Sequence, residues 1–131
     1  MFTGPLTVLS CDNLPGNGDV ARAAVTRAAE SKGAGLATWI DRHCSFPNSM
    51  VDRIAPATTD TDRVWLADTV GIIDRWPVVG EAFRQWAIED RFVAPRPAWE
   101  AAGADLVADV APFETMKLRM LNGSHSTLAY L

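Results

Sequence analysis

The chain has 131 residues, 48% hydrophobic and 21% charged, the make-up of one ordinary globular domain and not of a disordered or collagen-like chain. Twelve Lys and Arg against sixteen Asp and Glu leave a net charge of −4, and no basic run interleaved with aromatics occurs, which argues against a nucleic-acid partner. The apolar stretches Val64–Ala67 and Val70–Ile73 are interrupted by Asp68 and Asp74, far short of the roughly 20 residues of a membrane span. The first residues have no positive region of the kind that opens a signal peptide, so the expected location is cytoplasmic, with Cys11 and Cys44 as free thiols.

In chain order, Pro5–Cys11 is a nearly continuous apolar run ending in Asp12-Asn13. It predicts a strand buried on both faces of a parallel sheet, which delivers Asn13 to the sheet edge. The alanine-rich segment Asp19–His43 carries apolar residues at Val20, Ala24, Ala28, Leu36 and Ile40, which predicts one long helix, or one broken at Gly33 and Gly35. Phe46–Ile54 reads as a second strand with Asp52 inside it, followed by a turn-rich Thr58–Asp62. Pro77–Glu89 is assigned mainly to strand, Pro95-Arg-Pro97 to a stiff connector, and Trp99–Gly103 to a helical turn stopped by glycine. Asp105–Val110 is strand-like or loop. Pro112 then opens a helix, with Glu114 in its first turn and an apolar stripe at Met116, Met120 and Leu121. The five tryptophans read as core.

One motif invites a nucleotide reading. Gly16-Asn-Gly18-Asp-Val-Ala21 follows a strand and opens a helix, and Asp41 stands about 20 residues on, which is the pattern of a dinucleotide-binding turn. Against it, Asp12–Pro15 separate the strand from the glycines, and Asp41 falls inside a predicted helix. The plainer reading is a tight turn that needs glycine's backbone freedom.

Four segments carry a more specific signal: Ser10-Cys-Asp-Asn-Leu-Pro-Gly-Asn-Gly18, Phe46-Pro-Asn-Ser-Met-Val-Asp-Arg-Ile-Ala-Pro56, Phe83-Arg-Gln-Trp-Ala-Ile-Glu-Asp90 and Met116-Lys-Leu-Arg-Met-Leu-Asn-Gly-Ser-His-Ser126. In this order they resemble the mannitol dehydrogenase family of polyol-specific long-chain dehydrogenases and its hexuronate reductase relatives. The resemblance implies an α/β fold: residues 1–110 as the C-terminal part of a Rossmann-like nucleotide domain, and residues 111–131 as the first helix of a mainly helical substrate domain. It also implies that the chain corresponds to the middle of a longer protein whose cofactor-binding glycine turn lies upstream. The cofactor-binding residues are therefore left unassigned.

The implied function is an NAD- or NADP-dependent oxidoreductase interconverting a sugar alcohol and a ketose, or a hexonate and a hexuronate. The alternative is a truncated, catalytically inactive fragment of such an enzyme. Oxidising a secondary alcohol needs a base for the hydroxyl proton, donors that hold the oxygen, and a hydride acceptor; it needs no metal. The resemblance places the base at Lys117, the oxygen-holding amides at Asn13 and Asn122, and substrate binding at His125 and Asp52. At 3.6 residues per turn Lys117, Asn122 and His125 fall at about 0°, 140° and 80°, within one half of a helix surface and over about 12 Å of rise. A lysine base must lose its proton near neutral pH, which burial or a neighbouring cation such as Arg119 or a charged His125 favours. On the residues alone, Lys117 reads first as a solvated helix residue and Asn122-Gly123 first as a helix end, whereas Asp52-Arg53 reads equally as an ion pair.

Overall fold

The computed structural model describes residues 4–124 and residue 127. The chain divides into a larger unit, residues 1–51 with 85–131, and a smaller one, residues 52–84. In the larger unit β1 (Leu6–Thr7) pairs in parallel with β2 (Cys44–Ser45), Leu6 opposite Cys44 and Thr7 opposite Ser45. The predicted parallel pairing is present, but the strand is shorter than the apolar run and Leu6 remains 46% exposed. The ladder ends with Val8 N–H donating to the Ser45 carbonyl at 2.9 Å. Phe46-Pro47 follows, and proline has no N–H to extend the pairing.

Between these strands lie α1 (Asn17–Glu30) and α2 (Ala34–His43), so the long helix is broken, at Ser31–Gly33. Gly33 carries φ 132° at the break, whereas Gly35 is absorbed into α2. Ala29, Ile40 and Phe46 form the buried centre of this half, covered by Val8, Ala21, Ala37, Trp39 and Cys44. His43 ends α2 as the helix dipole favours, with its Nδ1 2.9 Å from the Trp39 carbonyl oxygen and its ring stacked on Trp39 at 5.0 Å.

The second sheet has the order β3-β4-β5, from β3 (Ser49–Asp52), β4 (Gln85–Glu89) and β5 (Asp105–Val107). β4 and β5 run parallel, with Ala87 opposite Asp105 and Glu89 opposite Val107. Only the last five residues of the predicted strand Pro77–Glu89 are therefore extended in a sheet. Met50, Ala87 and Val110 are buried together, and Val107 and Phe113 pack on them. This cluster fixes the short α4 (Ala111–Met116), which has proline in its first turn and starts from Val110, 2% exposed.

Buried polar groups tie α1 to the second sheet. Asn48 donates from its backbone to Glu89 Oε2 at 3.0 Å and accepts at Oδ1 from the Asp19 N–H at 3.1 Å. Glu89 is 6% exposed and is also paired with Arg91, as a buried carboxylate requires. Further along, Trp99 stands at the start of a 3₁₀ turn (Trp99–Ala102), tilted against Trp86 at 5.7 Å and edge-on to Phe92 at 5.6 Å. Arg96 clamps this segment through Asp90 at 3.0 Å and Glu100 at 2.8 Å; it holds the Asp90 carboxyl below its usual range, and the Glu100 carboxyl is held below its range by its own backbone N–H and then by Arg96.

The smaller unit contains α3 (Asp60–Val70), a helix that begins inside the stretch Thr58–Asp62 expected to be turn and continues through residues given no element in the sequence. Its start is a capping box: the Thr59 hydroxyl accepts from the Asp62 N–H, and the Asp62 carboxylate accepts from the Thr59 N–H, satisfying two backbone donors reciprocally. The Thr59 hydroxyl and backbone N–H hold the Asp62 carboxyl below its ordinary value. Arg63 bonds Asp60 at 2.6 Å and the Arg75 carbonyl at 3.1 Å, and it lies 5.9 Å over the Trp76 ring. Trp65 and Trp76 are 60% and 80% exposed, so the reading of all tryptophans as core fails for these two. Thr59→Ala is expected to weaken the start of α3 by about 1 kcal/mol. Hydrogen exchange of the Asp62 and Arg63 amides, accelerated several-fold relative to α1, checks it.

Candidate active site

Lys117 follows α4 directly and begins a π-helical turn, Lys117–Asn122. The Gly123 N–H donates to the Leu118 carbonyl, five residues back, the bond that defines this wider turn and that recurs at functional sites. Gly123 itself is helical, at φ −63° and ψ −43°, so Asn122-Gly123 does not end the helix. Five residues make about one π turn, so the backbone of residue 122 comes round nearer to residue 117 than the separation expected for a regular helix. The Asn122 side chain and His125 lie outside the described residues.

The Lys117 ammonium is held at two points. Its Nζ donates to Asn13 Oδ1 at 2.8 Å and to the Val51 carbonyl oxygen at 2.6 Å. Asn13 and Lys117 are 104 positions apart in sequence, and the loop that follows β1 brings Asn13 to Lys117 beside Val51 of β3. They share a cleft of about 170 Å³, lined also by Leu14, Met50, Val51 and Glu114. The cleft lies between the loop Asp12–Pro15 that follows β1, residues Ser49–Val51 of β3, and the helical residues Glu114, Lys117 and Leu118.

Glu114 was not singled out in the sequence as a site residue, although it stands three positions before Lys117 and hence on the same helix face. Its Oε1 accepts from the Gly16 N–H at 3.0 Å and so ties the Asn13-containing loop to α4. Asp52 is the half-buried last residue of β3 and opens the smaller unit. The proposed Asp52–Arg53 ion pair does not form: Arg53 Nε donates to the Glu81 carbonyl at 3.1 Å.

The glycine motif serves the fold. Gly16 is left-handed, φ 60°, at the start of α1. A Cβ on Gly18 would stand 2.4 Å from the Pro47 carbonyl oxygen and 2.6 Å from that of Phe46. The second glycine therefore faces the chain's own backbone where a pyrophosphate would have to lie, and Asp41 is paired with Arg22 on the surface. Among the described residues no helix is long and apolar enough to cross a membrane.

A family model for the mannitol dehydrogenase Rossmann domain matches residues 2–101. The chain belongs to the mannitol dehydrogenase family. A second model, for the mannitol dehydrogenase C-terminal domain, matches residues 109–131. Among curated relatives, an uncharacterized oxidoreductase of Escherichia coli, YeiQ, is 57% identical over 127 residues, covering 97% of this chain and 26% of the relative. The D-mannonate oxidoreductase of the same organism is 54% identical over 125 residues, covering 95% of this chain and 26% of the relative. The solved Pseudomonas fluorescens mannitol 2-dehydrogenase, a ternary complex with NAD and D-mannitol, superposes with a TM-score of 0.82 at 54% identity, over 95% of this chain and 25% of its own. This member of the mannitol dehydrogenase family thus spans about a quarter of the length of the curated relatives it matches, 26% for both named above, and its fold is Rossmann-like, with helices and parallel strands mixed.

Proposed function

We propose that this chain carries the proton-accepting, oxygen-holding part of an NAD(P)-dependent oxidoreductase that interconverts a sugar alcohol and a ketose, or a hexonate and a hexuronate, with Lys117 as base and no zinc. The observation that carries this reading is the convergence of Lys117 Nζ and Asn13 Oδ1 at 2.8 Å in one cleft. Support also comes from relatives whose names specify D-mannonate and mannitol as substrates. The larger part of the chain, residues 1–110, belongs in this reading to the nucleotide domain, and residues 111–131 open the substrate domain; the two family models meet between residues 101 and 109.

Chemically, the Lys117 amine in its neutral form accepts the hydroxyl proton of a secondary alcohol. Asn13 turns Oδ1 toward Lys117, which leaves its Nδ2 hydrogens free to donate to the substrate oxygen as negative charge builds there. Asn122 supplies the second donor from the next turn of the π-helical segment. His125 and Asp52 are assigned to the remaining hydroxyls of the substrate. When bound, NAD(P) supplies the hydride acceptor. The cleft fits the alcohol that the nicotinamide oxidises, whereas the Gly16–Gly18 turn offers the pyrophosphate no room, and among the described residues none is assigned to that part of the cofactor.

The test uses Pseudomonas fluorescens mannitol 2-dehydrogenase with its matching segment exchanged for this chain. In that chimera Asn13→Ala is expected to lower kcat about 10²-fold, the loss on removing one oxyanion donor, with KM for NAD unchanged. Steady-state NADH formation checks it, and an unaltered kcat would remove Asn13 from the mechanism.

A further inference from the structure

Asn17 is 1% exposed, although it belongs to the first turn of a helix whose other residues are largely exposed. Its amide is used in full. The two hydrogens of Nδ2 are shared among the carbonyl oxygens of Ser10 at 3.2 Å, Asp12 at 2.9 Å and Ser49 at 2.8 Å, and Oδ1 accepts from the Ser49 N–H at 2.9 Å. Ser49 Oγ closes the ring by donating to the Ser10 carbonyl at 2.5 Å. These partners lie at two sites flanking the cleft: Ser10 and Asp12 just before Asn13, and Ser49 two residues before Val51. Asn13 and Val51 are the residues that accept from Lys117.

We infer that Asn17 is a positioning residue for Lys117: one buried amide sets the spacing of the Asn13 loop against β3, and so places together the two acceptors that hold the Lys117 amine. A buried amide with both its donors and its acceptor engaged resists displacement, because each bond lost leaves a desolvated partner unsatisfied. A smaller residue at position 17 would strand the carbonyl oxygens of Asp12 and Ser49 and the Ser49 N–H, while the Ser10 carbonyl would keep the Ser49 hydroxyl. The loop would then relax toward solvent and carry Asn13 away from Lys117, with no change to Lys117 or to its helix. The catalytic consequence rests on the reading of Lys117 as base; the geometric claim does not.

The chain has two lysines, Lys32 and Lys117, and this makes the test direct. In the chain labelled with 15N-lysine, the exchange with water of the side-chain ammonium hydrogens is measured for both residues, with exposed Lys32 as internal reference. The wild-type chain is expected to show Lys117 exchanging about tenfold more slowly than Lys32, on the order expected for hydrogen bonds made by a charged group. Asn17→Ala is expected to bring Lys117 to the Lys32 rate while the near-ultraviolet circular dichroism of the tryptophans is kept. If Asn17→Ala loses that signal, Ser49→Ala decides: it removes the hydroxyl that donates to the Ser10 carbonyl and accepts from Asn17 Nδ2 at 3.4 Å, and about threefold faster exchange at Lys117 is expected. Protection of Lys117 that persists in a folded Asn17→Ala chain, or in Ser49→Ala where that variant decides, overturns the inference. Loss of protection in Asn17→Ala together with full turnover of a Lys117→Ala chimera would uphold the positioning role and sink the catalytic reading, so the two failures are told apart.

Discussion

Lys117→Ala, placed in the mannitol 2-dehydrogenase chimera, is expected to lower kcat by about 10³-fold, within the range measured for loss of a positioned general base, while KM for NAD stays within a factor of about two of the unsubstituted chimera. The reason is local. Lys117 Nζ is the basic group of the cleft that Asn13, Glu114 and Val51 also line, and Glu114 is turned to the Gly16 N–H. Removing the amine therefore leaves Asn13 to hold the oxygen without the amine that takes its proton, the remaining titratable groups of the cleft being the carboxyls of Asp12 and Glu114. A loss expressed in KM alone would mean that Lys117 binds the substrate and takes no part in the proton transfer. Lys117→Arg is expected to behave like alanine, since a guanidinium stays protonated at every working pH.

Gly18→Ala is expected to destabilise the fold by about 3 kcal/mol, the upper part of the range for overpacking a closed site. The added methyl would meet two carbonyl oxygens at 2.4 and 2.6 Å. Both belong to backbone, which cannot rotate aside as a flexible side chain does. The backbone they belong to, Phe46-Pro47, leads into Asn48 and Ser49, whose hydrogen bonds to Asp19 and Asn17 lock α1 onto β3. Urea unfolding should show a lower midpoint with an unchanged slope. Had Gly18 been part of a pyrophosphate cradle, the same substitution would weaken NADH binding at unchanged stability.

Parallel pairing, the helix break near Gly33, the 3₁₀ turn stopped at Gly103 and the helix opened by Pro112 were all legible, because each is written in neighbouring residues. α3 was not. Its apolar residues Val64, Trp65 and Val70 are exposed and lack the periodicity that betrays a buried helix face; the usable signal was the Thr59…Asp62 capping box with Gly71 at the far end. The length of β1 was misread because the limit is set by its partner, where Pro47 stops the ladder. Regular helix geometry misplaced Asn122 relative to Lys117, since a π turn has no signature in composition. The contact between Asn13 and Lys117 joins residues too far apart for periodicity to reveal; the family resemblance implies a site role for each residue but not the bond between them. Glu114 went unmarked because, in the sequence, an acidic residue early in a helix is already accounted for by the helix dipole.

The most direct test of the central claim is the turnover of the chimera itself: NADH formation by Pseudomonas fluorescens mannitol 2-dehydrogenase carrying this chain in place of its matching segment, with D-mannitol and NAD. The expected result is turnover within about tenfold of the parent enzyme, abolished by Lys117→Ala to the extent given above. A folded chimera that binds NAD yet reduces none of it, or one that Lys117→Ala leaves undiminished, would contradict the account.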